Sequence, residues 1–157
     1  MGSRGSVVPF FKRLMERGAE SLSITDPRMT RFWITLDQGV AFVLSALEMM
    51  RGGEVFVPKI PSMTITDLTA AMAPGLPTRV VGIRPGEKLH EMMISSDDAR
   101  KTVDLGDRFA IEPDFVEYQR APFDAPLVAE GFSYSSDLND EWLDGPGLKA
   151  MLDGTRD

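Results

Sequence analysis

The chain has 157 residues, of which 17 are Lys or Arg and 24 are Asp or Glu, so its formal net charge is −7. This acidic balance argues against a surface that binds nucleic acid, and the absence of cysteine excludes disulfides, thiolate metal sites and a cysteine nucleophile. One histidine cannot form a multi-histidine metal site, and a hydrophobic content of 43% suffices for one domain or one lobe of a larger one.

No segment of the sequence is suited to crossing a membrane. The longest run without Asp, Glu, Lys or Arg covers residues 68–78 and contains two prolines, whereas a spanning helix needs about 20 apolar residues. The first residues lack the apolar region of a secretory signal. The sequence therefore predicts a cytoplasmic protein.

Three helices are predicted in the first half of the chain. Apolar residues three or four apart predict a helix over residues 7–17, and a short helix over 64–73 begins at Thr64. The clearest pattern covers residues 37–51, where Thr35 and Gln38 form a capping-box pair and Gly52 follows the end. The apolar face of this helix consists of Val40, Val43, Leu44, Leu47 and Met50.

Strands are predicted between and after these helices. A brief strand is expected at residues 32–34, and the unalternating apolar runs at 55–57 and 80–83 are typical of strands buried on both faces. With the helix between them these two runs span about 30 residues, which predicts a parallel βαβ unit and an α/β fold. Later segments are less regular: a hairpin around Gly106, extended surface chain over 113–140, and a last short helix near 148–152.

Two clusters could bind an anionic ligand. Arg84 and Glu87 follow the predicted strand at 80–83, and ligands of open α/β sheets bind beyond the carboxyl ends of the strands. A guanidinium suits phosphate oxygens, and a carboxylate accepts hydrogen bonds from sugar hydroxyls. The spacing leaves open an ordinary surface ion pair between the two residues. Arg28 and Arg31 form the second cluster and could also hold an anionic ligand. The alternative is that both are ordinary solvated arginines at the surface.

Two other motifs do not define a site. His90-Glu91 resembles the start of a zinc-protease helix, but the second histidine is missing, so His90 is expected to be structural. Hydroxyl residues at 133–136 have no identifiable partner base. Neither Gly-x-Gly-x-x-Gly nor a Walker-type Gly-Lys-Ser/Thr sequence is present.

Five segments together resemble the C-terminal half of the inverting UDP-N-acetylglucosamine 4,6-dehydratases, extended short-chain dehydrogenase/reductase enzymes of bacterial surface-sugar biosynthesis. These are residues 1–11, 25–34, 58–63, 82–92 and 132–137. The resemblance implies the substrate-binding C-terminal part of an extended Rossmann-type NAD(P)-binding fold over residues 1–157, with a parallel βαβ unit and a small mixed substrate lobe. It also implies that the N-terminal dinucleotide-binding half is absent.

The resemblance assigns roles to individual residues. It implies that Val7 contacts uracil, that Arg31 and Arg84 contact the pyrophosphate, and that Glu87 binds the ribose. Arg28 and Met29 are implied as neighbours of the UDP-sugar.

No catalytic residue is assigned, because the family's Tyr-x-x-x-Lys motif and its glycine-rich turn for NADP are both missing from the sequence. The complete enzymes dehydrate the sugar and invert C5 through a transient NADP redox cycle. We therefore expect this chain to need its missing half or to self-associate, because open sheet edges invite pairing. A non-catalytic UDP-sugar-binding or oligomerising module is the alternative.

Overall fold

The computed structural model describes residues 7–114 and 120–154; the part of the predicted resemblance at residues 1–6 lies outside these ranges. The helices are α1 (Val7–Glu16), α2 (Leu36–Met49), α3 (Ile65–Met72) and α4 (Gly145–Gly154), with a 3₁₀ turn at Asp98–Lys101. The strands are β1 (Leu22–Ile24), β2 (Thr30–Phe32), β3 (Val55–Pro58), β4 (Ser62–Thr64), β5 (Thr78–Val80), β6 (Met92–Ile94), β7 (Thr102–Asp104), β8 (Arg108–Ile111) and β9 (Tyr134–Ser135).

Local sequence accounts for the helix starts. Thr35 accepts a hydrogen bond from the backbone N–H of Gln38, and the Gln38 side chain accepts one from the backbone N–H of Thr35, so the predicted capping box is confirmed. Thr64 caps α3 by accepting from the N–H of Asp67. The sequence thus specifies where both helices begin.

The strand pairing differs from the prediction. The parallel partner of β5 is β1, in the register Ser23 to Arg79, and β3 pairs antiparallel with β8. The predicted βαβ unit over residues 55–83 is therefore wrong, although a parallel pair exists. An apolar run specifies a strand but not its neighbour, and β3 finds its partner in β8, where Val57 lies opposite Phe109.

The remaining strands form small antiparallel sheets. The predicted hairpin is confirmed as β7 and β8, with Gly106 at a φ of 95° in the turn. β2 pairs with β4, and β6 pairs with β9. One parallel pair with several antiparallel ones gives the α/β class with a mixed lobe that the sequence predicted.

Three apolar clusters hold these elements together. The largest lies between α1, α3, α4 and strands β1, β2 and β4, and consists of Val8, Phe11, Leu22, Ile24, Met29, Trp33, Met63, Ile65, Leu68, Ala73 and Leu148. Phe123 and Tyr134 belong to the two smaller clusters. The prediction that residues 113–140 only wrap the surface is therefore wrong for these two aromatic side chains, which the neighbouring strands bury.

Two apolar surfaces remain uncovered. The α2 apolar face, defined by Leu36, Val40, Val43, Leu44, Leu47 and Met50, consists of side chains that are each at least 51% exposed. Along β5 and the loop that follows it, Val80, Val81 and Ile83 are also exposed, so burial of the strand on both faces, as predicted, is not observed. Among the described residues, every helix is too short or too polar to cross a bilayer.

Candidate functional site

A cavity of about 620 Å³ opens between α1, strands β1 and β2, and the loop that follows β5. Of the six residues predicted to bind a ligand, Val7, Met29, Arg31, Arg84 and Glu87 line it. They come from three separate parts of the chain: α1, the segment at β2, and the loop after β5. The fold thus gathers five of the six into one hollow.

Arg28 is the predicted residue that does not line this cavity. Its side chain is 70% exposed, and its guanidinium binds the carboxylate of Asp26 at 2.8 Å. The hydrogen bonds from the Arg28 side chain and backbone lower the pKa of Asp26 to about 2. Together the two residues close a turn at the surface.

Arg84 lies at the cavity wall with its guanidinium uncommitted. Its side chain makes no hydrogen bond or ion pair with any residue in the described part of the chain, so the Arg84–Glu87 ion pair that the spacing left open is not formed there. Gly82 and Gly86 have φ values of 87° and 82°, which allow the tight turns on either side. All five N–H donors of the guanidinium remain for a ligand.

The carboxylate of Glu87 is held by its own loop. Glu87 Oε2 accepts a hydrogen bond from the backbone N–H of Arg84 at 3.2 Å, and Oε1 accepts one from the Thr25 hydroxyl at 3.3 Å. These contacts join the loop after β5 to the end of β1. A carboxylate has about four lone-pair sites, so Glu87 retains capacity to accept hydrogen bonds from a ligand.

Arg31 is mostly engaged in holding the cavity wall. Its Nη1 donates to the carbonyls of Thr30 at 2.6 Å and Leu89 at 3.0 Å, and its Nη2 donates to the carbonyl of Lys88 at 2.9 Å. Its Nε faces Glu91 Oε1 at 3.7 Å. Since a guanidinium has five N–H groups, one N–H on Nη2 remains for a ligand.

The sequence prediction did not select several residues that line the cavity. Arg13 projects from α1 and Glu91 follows the loop that Arg31 holds. Trp33 is 5% exposed, and its buried indole N–H has no acceptor among residues 7–114 and 120–154. The helical position of Arg13 could have been read from the sequence, but its juxtaposition with Arg84 depends on the tertiary fold.

The cavity combines positive charge with an apolar wall. Arg13, Arg31 and Arg84 line it together with Glu87 and Glu91, in a chain whose net charge is −7. The apolar part of the wall consists of Val7, Phe10, Phe11, Ile24, Met29, Phe32, Trp33, Ile34, Ile65 and Val81. Such a cavity suits a ligand with an anionic group joined to a ring system.

His90 lies outside the cavity lining and has a structural environment. Its Nδ1 lies 2.8 Å from the Thr30 hydroxyl, and its Nε2 lies 3.9 Å from Asp137. Among residues 7–114 and 120–154, no group of three or more histidine, aspartate or glutamate side chains is placed to hold a metal ion.

The described residues do not fit a dinucleotide cofactor such as NADP. A dinucleotide site needs a parallel strand, a glycine-rich turn and the N-terminus of a helix in succession. β1 leads into the Asp26–Arg28 turn and then β2, and β5 leads through the loop with Arg84 to β6. Neither parallel strand is followed by a helix, so the described residues lack the helix N-terminus that would bind the pyrophosphate of such a cofactor.

Comparison with known proteins identifies relatives of this chain. The inverting UDP-N-acetylglucosamine 4,6-dehydratase of Campylobacter jejuni subsp. jejuni serotype O:2 is 51% identical over 99% of this chain and 49% of its own length. A UDP-glucose 4-epimerase of Rickettsia canadensis is 43% identical over 73% of this chain and 34% of its own length. The resemblance stated from the sequence is confirmed, and the chain spans about half the length of the curated dehydratases it matches.

A solved structure and a family model extend this result. The X-ray structure of Pen from Bacillus thuringiensis superposes with a TM-score of 0.80 at 27% identity, over 98% of this chain and 46% of Pen, which confirms the predicted fold class. The model of the family described as polysaccharide biosynthesis protein matches residues 1–113. The chain therefore belongs to the polysaccharide biosynthesis protein family.

Proposed function

We propose that this chain is the UDP-sugar-binding half of an inverting UDP-N-acetylglucosamine 4,6-dehydratase. One observation carries the proposal: the uncommitted guanidinium of Arg84 lines the same cavity as Arg31, Glu87 and an apolar wall. A diphosphate between a nucleoside and a sugar supplies the matching anionic group and rings. The 51% identity to a dehydratase of this type supports the choice of ligand.

Each cavity residue has a proposed part in binding. Arg84 is the principal contact of the diphosphate, because a free guanidinium can bind two oxygens in parallel. Arg31 supplies one further N–H and holds the backbone at residues 88–89. Glu87 accepts hydrogen bonds from the ribose, and Val7 packs on the uracil.

We propose that the α2 apolar face and the edge of β5 are covered by a polypeptide equivalent to the other half of the dehydratases. The full relatives are about twice as long as this chain, and both surfaces expose aliphatic side chains that a partner could bury. NADP would be held by that half. Dehydration and inversion at C5 are thus proposed for the assembly and not for this chain alone.

Calorimetric titration with UDP and with UDP-N-acetylglucosamine tests the binding proposal. We expect binding by the unaltered chain and a loss of roughly tenfold or more in affinity for Arg84→Ala, as for the removal of a charge-assisted hydrogen-bonded pair. Arg79→Ala is the matched control, since Arg79 is an exposed arginine on β5 outside the cavity lining. Equal affinities for the two variants would sink the assignment of Arg84.

A second candidate function is a non-catalytic UDP-sugar-binding or oligomerising module. It is favoured by the exposed α2 apolar face, which a second copy of the chain could cover. Mixing the chain with a separately produced dinucleotide-binding half of a related dehydratase, and assaying 4-keto sugar formation, separates the two. Product formation supports the enzyme half; UDP-sugar binding without association or product supports the module.

A further inference from the structure

A buried hydrogen-bonded cluster joins β2 to residues 134–137, outside the cavity. The hydroxyl oxygen of Thr30 lies 2.6 Å from that of Ser136 and 2.8 Å from Nδ1 of His90. Ser136 Oγ accepts a hydrogen bond from the backbone N–H of Glu91 at 2.9 Å, and the backbone N–H of Ser136 donates to the Glu91 carbonyl at 2.8 Å. Thr30 is 4% exposed and Ser136 is 0% exposed, so water does not compete for these groups.

The Thr30 hydroxyl is the centre of this cluster. Ser136 Oγ accepts a hydrogen bond from the Glu91 N–H and shares a second hydrogen bond with the Thr30 hydroxyl, in which either oxygen can donate. The Thr30 hydroxyl is also hydrogen-bonded to Nδ1 of His90, whose Nε2 lies 3.9 Å from Asp137. Removal of the Thr30 hydroxyl therefore breaks its contacts with both Ser136 and His90.

The cluster and Arg31 hold the same short segment from two sides. Arg31 donates to the carbonyls of Lys88 and Leu89 from the cavity side, while Thr30 and Ser136 hold His90 and Glu91 from the other side. The backbone N–H of Thr30 also donates to the Leu89 carbonyl at 3.2 Å. Residues 88–91 follow Glu87 directly, so their position determines where the loop with Glu87 and Arg84 meets the cavity.

We propose that Thr30 and Ser136 are positioning residues for the ligand cavity, acting through residues 88–91. The inference rests on the proposed function for its ligand, UDP. It adds to the site the segment 134–137, which does not line the cavity. That segment lies beyond residue 113, where the family model ends, but within the 99% of the chain that aligns with the dehydratase. A buried hydrogen bond makes a modest net contribution to stability, whereas a fully satisfied buried network fixes one geometry.

Two substitutions of Thr30 distinguish the effect of losing its hydroxyl from the effect of changing its side-chain volume. Thr30→Val keeps the shape and removes the hydroxyl, while Thr30→Ser keeps the hydroxyl and removes a methyl. We expect amide hydrogen exchange at residues 88–91 to be roughly fivefold faster or more in Thr30→Val, and UDP affinity to fall roughly three- to tenfold, as for one lost buried hydrogen bond. Thr30→Ser should retain wild-type values in both measurements.

Ser136→Ala gives an independent test with a matched control. It should also speed exchange at residues 88–91 and shift the ring signals of His90, which is the chain's sole histidine and so gives an unambiguous NMR signal. Ser133→Ala, a half-buried serine of the same segment, should do neither.

The positioning role of Thr30 and Ser136 and the proposed function can fail independently in these experiments. Wild-type exchange at residues 88–91 in both Thr30→Val and Ser136→Ala overturns the positioning role. Failure of the unaltered chain to bind UDP overturns the proposed function, and the exchange comparison then still decides whether the cluster positions this segment.

Discussion

Helices α2 and α3 are both rich in apolar residues, but only α3 buries them. In α3, Ile65 and Leu68 are 5% and 0% exposed, whereas no residue of α2 is buried and Leu47 is 58% exposed. α3 packs on α4, β1 and β4. Periodicity therefore predicts which face of a helix is apolar, whereas the rest of the fold determines whether another element covers that face.

The most severe test of this comparison is a pair of leucine truncations. Leu68→Ala in α3 should lower the free energy of unfolding by about 2–5 kcal/mol, because it leaves a cavity in the largest core cluster. Leu47→Ala in α2 should change it by less than about 0.5 kcal/mol, since the side chain is exposed. Urea denaturation followed by circular dichroism measures both. Similar losses would mean that α2 is covered within this chain.

The loop that follows α2 is held by ionic contacts, in contrast to the exposed apolar face of that helix. Arg120 lies 2.9 Å from Glu54 and 2.5 Å from Glu112, and it also donates to the carbonyl of Gly52. Burial raises the pKa of Glu54, but hydrogen bonds from backbone N–H groups, that of Arg51 foremost, and the charge of Arg120 outweigh it, so the net shift is downward. Glu54 therefore stabilises the fold above its ordinary pKa of 4.5, and this contribution is lost as the pH falls through the lowered value.

Arg120→Met should destabilise the protein by about 2 kcal/mol at pH 7, because it leaves two buried carboxylates without their cation. The difference from the unaltered chain should shrink as the pH falls from 4.5 through the lowered pKa of Glu54, where that carboxylate becomes protonated. Urea denaturation at several pH values provides the measurement. Exposed Arg100→Met serves as control, and a difference independent of pH would contradict the ionic explanation.

The smallest expected change in stability comes from the α2 apolar face itself. The double variant Leu44→Gln and Leu47→Gln should alter unfolding by no more than about 0.5 kcal/mol, because both side chains are exposed. Association should respond instead: light scattering should show less self-association, and the mixed assembly with a dinucleotide-binding half should weaken. Unchanged association would show that this face is not the contact surface.

Local signals predicted much of this molecule. The capping box at Thr35 and Gln38 and the cap at Thr64 act over three or four residues, so sequence alone is sufficient to locate α2 and α3. Gly106 likewise marks the turn of the predicted hairpin of β7 and β8, where φ is positive. Five of the six residues that the resemblance implies as ligand contacts line one cavity.

The remaining features depend on contacts between residues that are dozens of positions apart in the chain. These features are the pairing of β5 with β1 and of β3 with β8, the presence of Arg13 beside the cavity, and the burial of Thr30 against Ser136. Caps, turns and periodicity are short-range effects, so the local elements and the residue types available for an anionic ligand can be predicted from the order of the residues. Which strands pair and which side chains meet depends on packing between segments that are far apart in the chain. No local signal encodes that packing, so these contacts are seen only in the folded chain.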